Sequence, residues 1–417
     1  MSLQDALSAI GRPCRPLARY TYPIRRWLPT LVLGLALGFA VSPASAAGWM
    51  RRLPDATFVA ALSIPGAHDA ATGEGFGPYG SLGDEFARTQ ELSVARQWSI
   101  GIRAFDLRPA AYEDHLHLHH GIISTAARLD SVMLQLRDSL VANPTEFVIV
   151  HLLHERDGDQ ADIYDAQLLA LLRSDQLSPY LADFRKDLTV GEMRGKMLIL
   201  SRDRYATQPI GGFFEGWTGT ADWERMTAAR IVGPGSNNSS GLYVQDYSDT
   251  HAAGGISTKV SALTRLLTYS FGHRNARKTT ITWYLNFASA YSLVASIFGN
   301  EVSTSDGYRD NAAHTHRAIL DFIAGRRVFG PTGIVLMDYV GVDQSGQFQT
   351  LGQEVVDAII ENNFRYLDDI TPVRTIPADA AEHASAGVRY DLQGRPLPAS
   401  QPVRGLYIES GRKHVAR

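Results

Sequence analysis

The chain has one cysteine in 417 residues, Cys14, and none after it. Disulfides, thiol nucleophiles and thiolate metal sites are therefore excluded from everything downstream. A run long enough to cross a bilayer is also lacking: the most apolar stretch, WLPTLVLGLALGFAV, has fifteen residues, against the roughly 20 that a spanning helix needs. An excess of positive charge is lacking, with 40 lysines and arginines against 43 acids. The formal net charge is −3, and residues 1–46 hold five arginines against one acid, so the remainder carries −7 (−3 less +4). A surface of that sign does not suit nucleic acid, and no nucleic-acid partner is predicted.

What stands at the start reads as an export signal. Arg25 and Arg26 precede the apolar run, and Ala44-Ser45-Ala46 offers a small-residue cleavage site. Residues 1–46 are thus expected to be a signal peptide, and the remainder secreted or held at the cell surface.

From about residue 56 to 365, within a barrel domain expected to span 47–370, short apolar runs alternate with helical patterns. TFVAALSI, IRAFDLR, EFVIVHLL, KMLILSR, GLYVQD, TWYLNFA and GIVLMDYV read as strands buried on both faces. Stretches such as TQELSVARQWSIG and ARLDSVMLQLRDSLVANP read as the intervening helices. Nearly every strand ends in polar groups: His68-Asp69, Asp106 and Arg108, His151 to Glu155, Arg202, Gln245-Asp246, Asn286, Asp338. In a barrel these ends converge on one mouth, so the predicted class is α/β, a distorted (β/α)8 TIM-type barrel. Seven strands are clear. The eighth is expected in AARIVG or in the run HLHLHH, although PAAYED, too short for a parallel crossover, points to a hairpin there. Residues 371–387, rich in Ala and Pro, read as a linker, and 388–417 as a short β-like appendage with two strand-like runs.

Three segments carry chemistry-bearing side chains. In SIPGAHD, Pro65 and Gly66 permit a sharp turn that would lift His68 and Asp69 into the mouth. In GIRAFDLRP, Asp106 and Arg108 lie two apart on one strand and point the same way. As an isolated pair they read as a salt-bridged strand end; beside two histidines, Arg108 offers a fork for a phosphate, held by Asp106. In HLHLHHG, alternation puts His115, His117 and His119 on one face and His120 on the other. The run can hold a metal, fill a strand or handle protons. Strand alternation gives a metal only part of the convergence it needs. His120, before Gly121, suits an exposed general acid; His115 and His117 read as surface or packing residues, and His119 as support for the mouth.

SIPGAHD, TQELSVARQWSIGIRAFDLR, LHHG and NPTEFVIVHLLHE, in that order, resemble the X-domain of bacterial secreted phosphatidylinositol-specific phospholipase C over roughly residues 56–365. The resemblance implies cleavage of phosphatidylinositol to diacylglycerol and a cyclic inositol phosphate at a membrane surface, with no protein partner. It implies His68 as general base, oriented by Asp338, and His120 as general acid, partnered by Asp69. It implies Arg108 where calcium-dependent relatives carry a second acid, so that no metal or other cofactor is called for. Arg202 and Asp246 match positions that contact the inositol ring, with Asp106 grouped among the substrate-binding residues. Metal-free relatives often have a lysine where this chain has Leu153, a departure that bears on head-group choice; His154 or Glu155 stands next to it. Phe76, Tyr79, Leu293, Ile297 and Phe298, in glycine-bounded loops, are expected to meet lipid. The last thirty residues resemble the sorting modules of proteins exported by the type IX route. Two other readings remain open: a glycerophosphodiester phosphodiesterase, which calls for a metal-binding pair of acids where Asp106 and Arg108 stand, and a lipid-binding barrel without activity.

Overall fold

The computed structural model describes residues 47–367, apart from 156–159, 208, 218–226, 252–253, 273–280, 298–299 and 343–347, together with short strands between 389 and 416. The predicted signal peptide and the linker 371–387 lie outside the described residues. In chain order the strands are β1 (Ser63–Ala67), β2 (Ala104–Leu107), β3 (Pro109–Ala111), β4 (Leu116–His120), β5 (Ile123–Arg128), β6 (Val148–Leu152), β7 (Leu181–Ala182), β8 (Met197–Ser201), β9 (Gly212–Glu215), β10 (Thr227–Val232), β11 (Ser239–Gln245), β12 (Thr282–Phe287), β13 (Leu293–Ile297), β14 (Asn300–Ser303) and β15 (Gly333–Met337). The helices are α1 (Gly80–Phe86), α2 (Val94–Ser99), α3 (Leu129–Ala142), α4 (Ala161–Leu172), α5 (Val190–Met193), α6 (Gly255–Gly272), α7 (Ser305–Ala324) and α8 (Gly352–Tyr366).

Strands β6, β2, β1, β15, β12, β11, β10, β9 and β8 form a ring that closes by pairing of β8 with β6. The barrel therefore has nine strands, where the residue pattern predicted eight. AARIVG does enter it, as β10, but antiparallel to both neighbours. The reason is the connection: GPGSNN, residues 233–238, is a turn too short for a parallel crossover, so β10 and β11 must form a hairpin. The ninth strand, β9, is only four residues long, which leaves almost no periodicity to read.

The histidine run is not a barrel strand. It is β4, the centre of a separate three-stranded antiparallel sheet with β3 and β5. Two further expectations shift. TFVAALSI is a 3₁₀ turn at Val59–Ala61 followed by β1. TQELSVARQWSIG is helical only over Val94–Ser99, because Thr89 and Gln90 are drawn into hydrogen bonds at the barrel mouth. The tail forms four strands instead of two, β16 (Arg389–Tyr390), β17 (Pro396–Leu397), β18 (Gly405–Glu409) and β19 (Arg412–Ala416), paired antiparallel.

Strands β1, β2, β6, β8 and β15 are buried along their whole length, as parallel strands covered by helices must be. The packing around β1 is close enough to demand glycine. A Cβ on Gly66 would lie 2.6 Å from Leu336 and 2.9 Å from Ala104 on the two neighbouring strands.

The amino-terminal end of the barrel is built for stability. Asn363 of α8 accepts from the Ser63 amide and donates to the Ser63 carbonyl, both at 2.8 Å, which satisfies the start of β1 in the core. Arg103 and Glu146 form a buried ion pair at 2.9 Å beneath Trp98. The polar groups with catalytic potential lie at the opposite, carboxyl-terminal end.

Candidate active site

Three adjacent strands assemble the centre of the mouth. β1 pairs with β15 on one side and β2 on the other, so His68, Asp338 and Arg108 meet although His68 and Asp338 are 270 residues apart. Gln90 locks that seam: its Nε2 donates at 2.8 Å to the carbonyls of both His68 and Met337, and its Oε1 accepts from the Val340 amide. The chain then turns sharply. Asp69 and Tyr339, the residues following His68 and Asp338, both lie in the left-handed region, with φ of 42° and 48°. Holding such residues costs conformational energy, and strain of this kind gathers at functional sites.

His68 Nδ1 lies 2.8 Å from Asp338 Oδ1. The carboxylate takes the Nδ1 hydrogen, so the working nitrogen is Nε2, which lies 2.8 Å from Arg108 Nη2. A guanidinium only donates, so this contact is made by neutral His68 with its lone pair outward. Burial works against a proton there, but Asp69 and Asp338 outweigh it and raise the His68 pKa to about 9. His68 is thus a strong base whose free form Arg108 can stabilise. Burial raises the Asp338 carboxyl above its usual range, against the pull of His68.

Arg108 fills the centre. Its Nε lies 2.6 Å from Asp69 Oδ1, and its Nη2 is 3.3 Å from Asp106 Oδ2. The guanidinium pKa is pushed above its ordinary value: burial opposes this, and Asp69, Asp106, Glu155 and Asp246 prevail. Asp106 is fully buried behind it, also accepting from the Asp69 amide and from His151 Nδ1 at 2.6 Å. Burial would raise the Asp106 carboxyl, but Arg108, His151 and His68 drive it well below the usual carboxylate range. Asp106, expected both among the substrate-binding residues and as the holder of Arg108, is fully buried against that guanidinium.

His68, Asp69 and Asp106 offer one ligand atom each within 4.8 Å of one another, a spacing that suits a metal ion. Arg108 contacts all three. A second cation there would meet its repulsion, so the donor set as it stands fits the guanidinium and not a resident metal.

His120 enters from the end of β4. Its Nδ1 donates to the Ala87 carbonyl at 2.7 Å, so again Nε2 is the free nitrogen, 3.4 Å from the Tyr308 hydroxyl. His68 Nε2 lies 3.4 Å and His120 Nε2 3.7 Å from the same Asp69 oxygen, Oδ2. The two nitrogens are therefore at most 7.1 Å apart, the sum of those distances. One imidazole is backed by a carboxylate and the other by a neutral carbonyl. The carboxylate helps the first hold a proton, which makes it the better acceptor. Two imidazoles that converge on one carboxylate oxygen, with a guanidinium against that same carboxylate, can exchange protons with both oxygens of a displacement at an anionic centre.

Arg202 and Asp246 stand beside this centre. They face each other at 3.7 Å, and both interact electrostatically with Arg108. The Arg202 guanidinium stacks over Trp217 at 3.8 Å; burial lowers its pKa. Of the expected lipid-facing residues, Phe76 is buried under Gly83 and Arg88, a correction that follows from its ring filling the space beside α1. Tyr79 is exposed. The side chains of Leu293, Ile297 and Phe298 lie outside the described residues. Leu82 and Ile122 are exposed too, Ile122 two residues after His120 and Leu82 in the helix leading to Ala87.

Residues beyond those predicted also shape the site. Gln90 and Tyr308 carry no signal in the residue pattern, since each acts through a partner more than a hundred residues away or through backbone. His151 was visible only as a polar strand end; in the structure it packs among Phe214, Trp217 and Phe287 and holds Asp106. Lys259 of α6 is fully buried, its pKa lowered to about 7 by burial, and donates to Gln245 Oε1 and the Tyr247 carbonyl, bracing the segment that carries Asp246.

No family model matches the chain. It is 35% identical over 164 residues to a 1-phosphatidylinositol phosphodiesterase of Listeria monocytogenes, covering 39% of this chain and 50% of that enzyme, so the chain spans about half the length of this relative in the alignment. It is 24% identical over 327 residues to the protein of the same name from Staphylococcus aureus, covering 76% of this chain and 93% of that one. Among solved structures it superposes on a phosphatidylinositol-specific phospholipase C from Staphylococcus aureus with a TM-score of 0.59 at 21% identity, covering 76% and 99% of the two chains. The corresponding enzyme from Listeria monocytogenes gives 0.54 at 24% identity, covering 76% and 98%.

Proposed function

We propose that this chain, which belongs to the family of bacterial phosphatidylinositol-specific phospholipases C, cleaves phosphatidylinositol by internal displacement at phosphorus. His68 Nε2 takes the proton of the inositol 2-hydroxyl. The resulting alkoxide attacks the neighbouring phosphorus, the bond from phosphorus to the diacylglycerol oxygen breaks, and His120 Nε2 gives its proton to that oxygen. The products are diacylglycerol and inositol 1,2-cyclic phosphate, with one proton taken up and one released by the enzyme. Arg108 neutralises charge on the phosphoryl oxygens, a role that in other relatives falls to a metal. Asp338 fixes the tautomer of His68 and stabilises its imidazolium. Arg202 and Asp246 supply a donor and an acceptor for ring hydroxyls.

The observation that carries this reading is the shared orientation of the two imidazoles, each with Nδ1 tied back and Nε2 turned toward Asp69 Oδ2, with Arg108 against the other oxygen of that carboxylate. Tyr79, Leu82 and Ile122 give the mouth an apolar rim for a lipid surface. The arginine pair, apolar run and small-residue site in residues 1–46 support action outside the cell. A glycerophosphodiester phosphodiesterase is disfavoured because Arg108 occupies the place where its metal would bind.

Phosphorus NMR of the purified chain with phosphatidylinositol vesicles and excess chelator tests the whole scheme. A cyclic inositol phosphate resonance is expected. Product only after calcium is added would overturn the role of Arg108, and no product in either condition would overturn the activity.

A further inference from the structure

His115 and His117, read from the sequence as surface or packing residues, form an arrangement that the reaction does not use. They precede His120 on the β3–β4–β5 sheet, project from one face, and stand beside Tyr112, whose ring is stacked on His115 with centroids 5.2 Å apart. His115 Nδ1 lies 2.6 Å from Asp114 Oδ1 and His117 Nε2 lies 2.9 Å from the Thr125 carbonyl. A carbonyl can only accept, so His117 carries its hydrogen on Nε2. The Asp114 carboxyl, held below its usual range by this imidazole contact, likewise accepts from His115 Nδ1. That leaves His115 Nε2 and His117 Nδ1, and these two atoms face each other at 3.2 Å.

Two neutral imidazoles so arranged would oppose lone pair to lone pair. Something positive has to lie between them, either a proton or a metal ion. The surroundings match the second as well as the first. Histidines that bind metal usually donate their other N–H to a carboxylate or a backbone carbonyl, which fixes the ring and the tautomer. His115 has the carboxylate of Asp114 and His117 the carbonyl of Thr125. On a tetrahedral zinc with Zn–N of about 2.0–2.1 Å, two nitrogens lie about 3.3 Å apart, close to the observed separation. His119 does not complete the set: its Nε2 pairs with the Tyr112 hydroxyl at 3.0 Å, and the strand register shifts between His117 and His119.

We propose that His115 Nε2 and His117 Nδ1 form a two-imidazole site for a divalent transition-metal ion, zinc or copper(II), on the flank of the sheet that carries His120. The ion is held by the two facing nitrogens, and water fills the remaining positions. Nitrogen ligands without an oxygen cage do not select calcium or magnesium. Part of His115 is open to solvent, which provides the entry path.

The test is isothermal titration of the full chain, free of any affinity tag, with zinc chloride, and with calcium and magnesium chloride in parallel. One zinc per chain at micromolar concentration is expected, with no heat from calcium or magnesium. His115→Ala and His117→Ala should each weaken zinc binding by about tenfold or more, and Asp114→Ala by a similar factor through loss of the supporting acceptor. His117→Gln keeps a donor for the Thr125 carbonyl and removes the ligand, so a loss in that variant with an unchanged circular dichroism spectrum cannot be ascribed to unfolding. No uptake at millimolar zinc would overturn the proposal. Uptake that survives both histidine substitutions would overturn it as well, by placing the ion elsewhere.

Discussion

His151 Nδ1 lies 2.6 Å from Asp106 Oδ1, a second buried imidazole–carboxylate pair behind the one that holds His68. Asp106 in turn accepts from Arg108, so His151 acts on that guanidinium through the acid between them. Replacing His151 by leucine strips a buried carboxylate of a donor, which costs about 1–3 kcal/mol, and frees Asp106 to shift with Arg108. His151→Leu should lower kcat with a smaller change in KM and lower the melting temperature, while His151→Asn, with an amide donor near the Nδ1 position, should recover most of both. Steady-state kinetics and thermal denaturation of the two variants read this out. Wild-type kcat in the leucine variant would remove His151 from the positioning chain.

The two imidazoles at the mouth carry the largest predicted losses. His68→Ala and His120→Ala should each reduce turnover by about 10²–10⁴-fold, the range for general acid–base groups. The two deletions should not multiply, because either one alone halts the coupled transfer. Turnover of phosphatidylinositol by both single variants and the double variant measures this. Near-normal activity in either single variant removes that histidine from the reaction.

The pH dependence follows from His68. Its pKa is raised to about 9 by Asp69 and Asp338, and only the neutral form accepts a proton from substrate. The free-enzyme profile, kcat/KM against pH, should therefore rise toward pH 9 as His68 deprotonates. Asp338→Asn removes one of the charges that hold the proton, so the rising limb should move to lower pH while the plateau falls. A limb that stays in place, or moves upward, contradicts the pairing of His68 with Asp338.

Arg108 is surrounded by Asp69, Asp106 and His68, which together have the spacing of a metal site. Arg108→Asp replaces the central cation with a third carboxylate. Activity with chelator present should fall by about 10²–10³-fold, the usual cost of losing a preorganised charge stabiliser, and part of it should return with millimolar calcium. Inactivity with and without calcium would show that the guanidinium does more than supply charge.

The apolar rim is separable from the chemistry. Ile122→Glu and Leu82→Glu should weaken binding to phosphatidylinositol vesicles in a sedimentation assay, and leave turnover of a monomeric, short-chain substrate near the wild-type level. Equal vesicle binding by both variants would move the lipid contact elsewhere on the surface.

Much of the mouth was legible in the residues because barrel strands advertise themselves twice, by a continuous apolar run and by the polar group that ends it. His68, Arg108, Arg202, Asp246 and Asp338 all stand at such ends, and the fold brings them together. What was not legible depends on turns and on third parties. GFFE is too short to show a period, and the antiparallel course of β10 is set by the tight turn after it. That Asp106 holds Arg108 was legible from their two-residue spacing, but that His151 stands behind it was not. Gln90 clamps carbonyl groups of two strands, and no pattern of side chains announces a bond to backbone. His115 and His117 read as incidental because a strand period reports which face a ring takes and says nothing of which nitrogen it turns toward its neighbour.

The pairing of β1 with β15 also bears on how the chain is made. His68 comes from the first stave of the barrel and Asp338 from the last, so the proton-accepting pair exists only where the two ends of the ring are stitched together. A ribosome has delivered almost the entire catalytic region before that stitch is possible. Every shorter chain lacks the carboxylate that backs His68, so whatever depends on this pair waits until the final barrel strand has emerged and docked.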